Sequence, residues 1–368
     1  MLNSFCAGTS RHNLARVGAL MAAVGLAASL AACGGGGGSG DGSSPGSTPA
    51  PPPPAPAPSP STAGDVSSTV QPTTYAAGSR EATAYTALNA ARLAGGFGTV
   101  AQNTSLDEEA ANQAAFVATN YTIASGFGGL DWDVVTLDVL QPDGNETGHV
   151  QLSTLPGYTA YSWTDRAIHF GYPSTGLVQE SAAFFTVATS GDNGNNCVTG
   201  LLSSPGHRQA ILDPRFRNVG IGFSTLAEPF ANTNSTLYGQ SCYIATAAQT
   251  STYSTTGEAT TPAGWVGIFP SNGSVVSSVD DSHGHGYAPS VTVDSSLTLT
   301  TTSFTITDSN GNVVPTTLNL DGGNGYTNWA FATPNADLAV NTTYTVAFVG
   351  SAGGAAFTET WTFTTPAQ

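Results

Sequence analysis

Ser203-Ser204-Pro205-Gly206-His207-Arg208-Gln209-Ala210-Ile211-Leu212-Asp213-Pro214 is the stretch on which the reading of this chain turns. Ser204 is a good helix N-cap, because its hydroxyl can accept from the orphan N–H groups of a first turn. Pro205 at the first helical position gives up an N–H that would have no partner there. Ile211 and Leu212 supply the apolar end of the helix, and Asp213-Pro214 stops it. Downstream, Asn218 to Phe223 and Tyr238 to Thr246 read as strands. Upstream, Arg80 to Leu93 predicts a helix with Tyr85, Leu88 and Ala91 on one stripe and Gly95-Gly96 as its stop. Ser105-Leu106-Asp107-Glu108 reads as a capping box opening a second helix. There Ala110, Ala114, Val117 and Tyr121 recur at helical spacing, a face of small residues suited to close packing. Helices early and strands late within residues 79–250 predict an α+β unit with helices packed on an antiparallel sheet.

The same residues carry a resemblance. The Ser203–Pro214 stretch followed by Val219-Gly220-Ile221-Gly222 resembles the signature of the bacterial CAP superfamily, the domain of cysteine-rich secretory proteins, antigen 5 and pathogenesis-related proteins. Ala87-Leu88-Asn89-Ala90-Ala91-Arg92 is similar to that family's opening helix. Pro156-Gly157-Tyr158-Thr159, Asp165-Arg166-Ala167 and Gly171-Tyr172 are similar to its middle segment, in the same order. The resemblance implies an α–β–α sandwich and a ligand-binding cavity that commonly holds two His and two acidic residues, with a divalent metal in some members. His149 stands where the first His is expected, Glu180 at the first Glu, although Ser181 replaces the usual Asn after it, and His207 at the second His. Between Ser181 and Gly206 there is no Glu, and Asp192 is the only acid, so the set is incomplete. His149, Glu180 and His207 could still hold zinc with an open fourth position. His207 in a first helical turn would be kept neutral by the helix dipole, and neutral imidazole is the form a metal requires. Without the resemblance, His149 reads as a solvated loop residue and His207 as an N-terminal hydrogen-bonding residue. On the same footing Glu180 is an exposed carboxylate and Asp165-Arg166 a structural ion pair. His169 has no counterpart in the family and reads as structural.

The N-terminus predicts export. Arg11 and Arg16 precede an apolar run from Val17 to Leu30, too short for a comfortable membrane span, followed by Leu30-Ala31-Ala32-Cys33. Leu-Ala-Ala-Cys resembles a bacterial lipobox, so residues 1–33 read as a lipoprotein signal with Cys33 the lipidated residue. The alternative is an ordinary cleaved signal with an incidental Cys. Residues 34–78, rich in Gly, Ser and Pro, cannot bury enough surface to offset their ordering entropy and read as a tether. Gly34 after the Cys is similar to the outer-membrane sorting pattern. Gly42-Ser43-Ser44-Pro45-Gly46 and the Gly35–Gly40 run match catalytic and dinucleotide motifs by composition only, since neither sits between a strand and a helix. Of the remaining cysteines, Cys197 and Cys242 are an even pair in an oxidising compartment and predict a disulfide, the other reading being two buried thiols.

Residues 260–368 change character to Thr, Ser, Val and Asn with period-two alternation. Phe304 and Ile306 alternate with Thr305 and Thr307; Tyr344, Val346 and Phe348 with Thr345 and Ala347; Trp361 and Phe363 with Thr362. Asn310-Gly311 is a tight-hairpin signal. Short strands without helical periodicity predict an all-β sandwich, and the run from Leu338 to Tyr344 with Trp361–Thr365 resembles the last strands of bacterial Ig-like domains. Asp280-Asp281-Ser282-His283-Gly284-His285 reads as a polar loop, with metal binding the weaker alternative.

Composition narrows the function. The chain has 368 residues, 9% charged, a formal net charge of −16 and no Lys. Such a surface repels phosphate backbones and anionic membrane, which excludes nucleic acid as a partner. No Ser-His-Asp or Cys-His constellation supports nucleophilic catalysis. The sequence therefore favours a lipid-anchored cell-envelope protein, sorted to the outer membrane, whose first unit is a non-enzymatic binding module. Its expected partners are the membrane through the anchor, and a small apolar ligand or an envelope or host surface component. A metal-dependent hydrolase acting through His149, Glu180 and His207 is the alternative, and an adhesive scaffold a third reading.

Overall fold

A computed structural model describes residues 64–120, 148–174, 176–188, 194–229, 237–248, 259–262, 264–278, 286–319 and 326–367. The signal, Cys33, most of the tether, Tyr121, Asp192 and the Asp280–His285 cluster lie outside these residues. The chain is mixed α+β. Among the described residues, helices α1 (Arg80–Ala94), α2 (Thr104–Asn120), α3 (Trp163–His169), α4 (Gly194–Ser203) and α5 (Pro205–Leu212) accompany fourteen strands. A short parallel pair joins β1 (Gly64–Asp65) to β6 (Ala259–Thr260). The first four-stranded sheet has the order β2 (Ala101–Gln102), β4 (Asn218–Pro229), β5 (Leu237–Ala248), β3 (Leu177–Ala188). Only the β2–β4 pairing is parallel.

Alternation along its strands sorts side chains to two faces. Tyr243, Ala245 and Ala247 of β5, with Val178 and Ala182 of β3, pack with Leu106, Ala110, Ala114 and Val117 of α2. Cys242 and Ile244, with Val219 and Ile221 of β4, turn to the other face and pack with Ala84, Tyr85 and Leu88 of α1 and with α4 and α5. Helices thus cover both faces. The glycines of Val219-Gly220-Ile221-Gly222 lie on the α2 face. A Cβ at Gly220 would stand 2.0 Å from the Leu106 carbonyl carbon, and one at Gly222 2.3 Å from that of Ala110. The alternate glycines therefore set the approach of α2. Across the opposite face, Cys197 of α4 and Cys242 of β5 form the expected disulfide.

The helix ends differ from expectation in one respect. Ser204 does precede α5, but its hydroxyl makes no capping bond; it meets His207 Nδ1 at 3.0 Å instead. For α2, Asn103 Oδ1 accepts from the Ser105 and Leu106 amides. Asn103 therefore caps the helix, and Ser105 of the expected capping box lies inside it.

The C-terminal residues form two more four-stranded sheets. One has the order β10 (Leu299–Thr307), β13 (Thr343–Ala352), β14 (Ala355–Thr364), β8 (Ser274–Val275). The other has the order β11 (Thr316–Asn319), β12 (Trp329–Pro334), β9 (Ser290–Val293), β7 (Val266–Phe269). The alternation read from the sequence holds in β10, β13 and β14: Phe304, Ile306, Tyr344, Val346, Phe348, Trp361 and Phe363 are buried. Asn310-Gly311 belongs to a wider turn ordered by Asp308, whose carboxylate accepts from the Asn310 and Asn312 amides. Strand β9 is buried at every position, and β12 from Trp329 to Ala332, the pattern of strands covered on both faces. Their second cover is the helical layer. Phe97, just past α1, stacks on Trp329 at 5.9 Å, and Trp265 Nε1 donates to Gly96 O at 2.9 Å.

Arg208 of α5 completes this joint. Its guanidinium donates to Leu202 O within the first region (2.7 Å), and to Ala288 O (2.6 Å) and Ser290 Oγ (3.2 Å) in the second. It lies 4.6 Å from the Phe269 ring centroid and 5.7 Å from that of Phe331. One apolar cluster consequently runs from α1 through to β14, and all described residues belong to a single compact unit.

At the far edge of the first sheet, β2 stops after Gln102. Asp107 of α2 then takes the place of a strand partner for β4: its Oδ1 accepts the Ile221 amide at 3.1 Å. The same carboxylate accepts from Tyr75 Oη and, at 2.5 Å, from Gln102 Nε2. Burial raises its pKa to about 6, against the opposing effect of those three hydrogen bonds. A carboxyl whose folded pKa is raised contributes stability below its unfolded value near 3.8, and that contribution is lost as pH rises through about 6. Relative to Asp107→Asn, the wild-type chain should therefore be more stable at pH 4 than at pH 7, by an amount on the order of 3 kcal/mol. Chemical denaturation of both proteins at the two pH values checks this, and a flat difference would contradict a buried, charged Asp107.

Candidate functional site

Four segments converge on the α2 face of the first sheet. Helix α2 buries one flank that includes Leu106, Glu109, Ala110, Gln113 and Ala114, so an acid and an amide sit among apolar neighbours. Helix α3 is started by Ser162, whose hydroxyl accepts the Asp165 amide, and it buries Arg166 and Ala167. Strand β3 directs Glu180 to the same face as Val178 and Ala182. The segment Gly148–Gln151 is pinned from several sides. Gly148 O accepts from Gln113 Nε2 and from Tyr243 Oη, both at 2.7 Å. Gln151 Nε2 donates to Asn112 Oδ1 at 2.8 Å.

These elements assemble a row of four ionisable side chains. His149 Nδ1 lies 2.6 Å from Glu180 Oε1. Arg166 Nη2 reaches Glu180 Oε2 at 2.6 Å and Glu109 Oε1 at 2.9 Å, while its Nε donates to Glu109 Oε1 at 3.0 Å. Arg166 Nη1 donates to His149 O at 3.1 Å. The side chains of Glu109, Arg166 and Glu180 are fully buried, and that of His149 is 18% exposed. The imidazole is flanked edge-on by Trp163 and Tyr243, with ring centroids 5.8 and 6.3 Å away.

The surroundings push the two carboxyls in opposite directions. Burial and then the neighbouring Glu180 charge push Glu109 well above the carboxylate range, against the pull of Arg166. Burial would raise Glu180 as well, but the Arg166 charge and then the His149 hydrogen bond outweigh it and hold it low. Glu109 therefore holds its proton to higher pH than Glu180, and Glu180 is the anion better placed to pair with Arg166. Burial alone would weaken the Arg166 charge, yet Glu180 and Glu109 together raise its pKa. Of the two neutral tautomers, a carboxylate against Nδ1 selects the one with the proton there, in which Nε2 is the acceptor.

Of the residues singled out in sequence, His149 and Glu180 are brought together. Helix α5, which carries His207, packs on the opposite face: Ile211 and Leu212 lie with Cys242 and Ile244, and Thr246 Oγ1 donates to Ala210 O at 2.8 Å. Both Glu180 oxygens are committed, and His149, Glu180 and His207 do not form a metal-holding group. Among the described residues no set of three or more His, Cys, Asp or Glu side chains is placed to hold a metal ion. The donor set does not fit the zinc that the resemblance implied. Asp165 and Arg166 are not an ion pair with each other: Asp165 accepts from Ser162 Oγ at 2.7 Å, and Arg166 turns to the two glutamates. His169 is exposed and stacks edge-on against Phe170. Glu109 was not singled out in sequence. Its signal was an acid one position before Ala110, on the stripe that the helix buries.

No protein-family model matches this chain, and no curated protein matches it in sequence.

The unequal roles of the two glutamates are testable. Glu109→Gln keeps an oxygen that can accept from Arg166 and removes a charge that burial disfavours, so it should cost under about 1 kcal/mol. Glu180→Gln leaves Arg166 buried without its anion and should cost on the order of 3 kcal/mol or more. Equal losses in urea unfolding of the two variants would contradict the unequal roles of the two carboxyls.

Proposed function

We propose that this chain is an exported cell-envelope protein, lipid-anchored at Cys33, whose first region is a CAP-like module that binds a ligand without turning it over. The observation that carries this reading is the state of the His149 row. Every carboxylate oxygen of Glu180 is engaged by His149 or Arg166, Glu109 is turned to Arg166, and the imidazole lies between the Trp163 and Tyr243 rings. What this arrangement offers a ligand is one hydrogen-bond acceptor, Nε2, beside the apolar edges of Trp163 and Tyr243. It suits a small, largely apolar molecule carrying a hydroxyl or amine donor. A hydrolytic metal would need donors that are already committed to protein partners.

The exposed charge supports the same class of partner. Five of the six Arg after residue 79 are buried, and Arg80 is the one Arg that is not. Anionic polymers therefore gain little from the described surface.

Two measurements on the exported protein test the reading. Radiolabelled palmitate should enter the wild-type chain and not Cys33→Ala; an unlabelled wild-type chain would overturn the anchor. Mass spectrometry of organic extracts from the purified protein should find a small molecule that is depleted several-fold in His149→Ala. A hydrolysis product accumulating from that molecule would overturn binding without turnover.

A further inference from the structure

Residues 66–79 cross the edge of the first sheet as an extended strap, and residues 68–74 are all exposed. Burial contributes little to holding them. Hydrogen bonds do: Thr99 donates its amide to Ser67 O (2.8 Å) and its hydroxyl to Thr69 O (2.7 Å). Tyr85 Oη donates to Gln71 O at 3.0 Å. Gln102 Oε1 accepts the Thr73 hydroxyl and the Thr74 amide, both at 2.7 Å. The strap begins at the β1–β6 pairing and ends at Ser79, the N-cap of α1. Exposed backbone held by a few polar contacts is the kind of segment that opens locally at low free-energy cost.

One contact is different in kind. Tyr75 edges onto Tyr85, and its hydroxyl donates to the buried Asp107 carboxylate in the first turn of α2. That carboxylate also holds Gln102 and the Ile221 amide, so strap, edge strand, helix and β4 meet on two oxygen atoms. Glu109, which positions Arg166 and through it Glu180 and His149, lies two residues further along the same helix.

We propose that residues 66–79 are a latched strap, and that the Tyr75–Asp107 contact couples its position to the His149 row through the first turn of α2. Withdrawing the Tyr75 hydroxyl leaves Asp107 with two donors in a buried setting. The carboxylate then gains by turning toward water, which loosens its hold on the Ile221 amide. The end of α2 that presents Glu109 is secured by that hold, by the Asn103 cap and by the contact with Gly220. Loosening it lets Glu109 shift against Arg166, and the imidazole that Glu180 fixes responds. The strap thus offers a means of regulation at the site proposed above, and the inference rests on that site being functional.

Tyr75→Phe in the full mature chain tests it, because it removes one oxygen and keeps the ring against Tyr85. Hydrogen exchange at residues 66–79 should rise on the order of tenfold, exchange in the first turns of α2 should rise with it, and the His149 ring resonances in NMR should shift. Thr73→Val with Thr74→Val, which weakens the Gln102 anchorage, should move all three in the same direction. Val70→Ser, at an exposed strap position, should move none. Unchanged strap exchange in Tyr75→Phe would overturn the latch. Faster strap exchange with wild-type α2 protection and wild-type His149 resonances would overturn the coupling. None of the three readouts needs a ligand, so a failure of the latch is distinguishable from a failure of the ligand-binding reading.

Discussion

A guanidinium taken out of water needs partners for its charge and its N–H groups, and the partners of Arg208 come from both regions of the chain. Arg208 leaves α5 and enters the C-terminal strands, where a carbonyl, a hydroxyl and aromatic faces receive it. Neither region can present this environment alone: Leu202 O comes from one side of the joint, Ala288 O and the Phe269 ring from the other. The stack of Phe97 on Trp329 seals the same boundary. The central strands β9 and β12 then lie in an interior layer, between the helical region and the second C-terminal sheet.

The same use of arginine recurs. Arg92 is fully buried and donates to five backbone carbonyls between Phe97 and Phe216, tying the end of α1 to the end of α5. Burial lowers its pKa to about 9, an effect partly offset by Asp213. Arg166 does for side chains what Arg92 does for backbone, and gathers Glu109, Glu180 and the His149 carbonyl into one row. Guanidinium groups suit these posts because their planar fork keeps its charge and spreads donors in fixed directions. With no Lys in the chain and all but one of the described Arg buried, the described surface carries little positive charge.

The elements of the fold were largely legible. Arg80 to Leu93 and the helix after Ser204 stand where their caps and stripes place them, and the alternation around Phe304, Tyr344 and Trp361 gives buried strand positions. The joint was not legible, because Arg208 and Phe97 carry no periodic signal that tells an interface from a surface. The strand Ser290–Val293 is too short for its pattern to show two covered faces, and what covers it depends on residues far away in sequence. At the site, His149 and Glu180 were found through resemblance, whereas Glu109 and the true partners of Arg166 depend on which helix face meets β3. The same resemblance grouped His207 with them, while packing puts its helix across the sheet.

Scanning calorimetry of the full mature chain tests the joint most directly. A core shared through Arg208 predicts one transition for the folded body, with calorimetric and van't Hoff enthalpies in agreement, and a single, lower transition in Arg208→Ala. Two resolved transitions in the wild-type chain, one of them unmoved in Arg208→Ala, would contradict it.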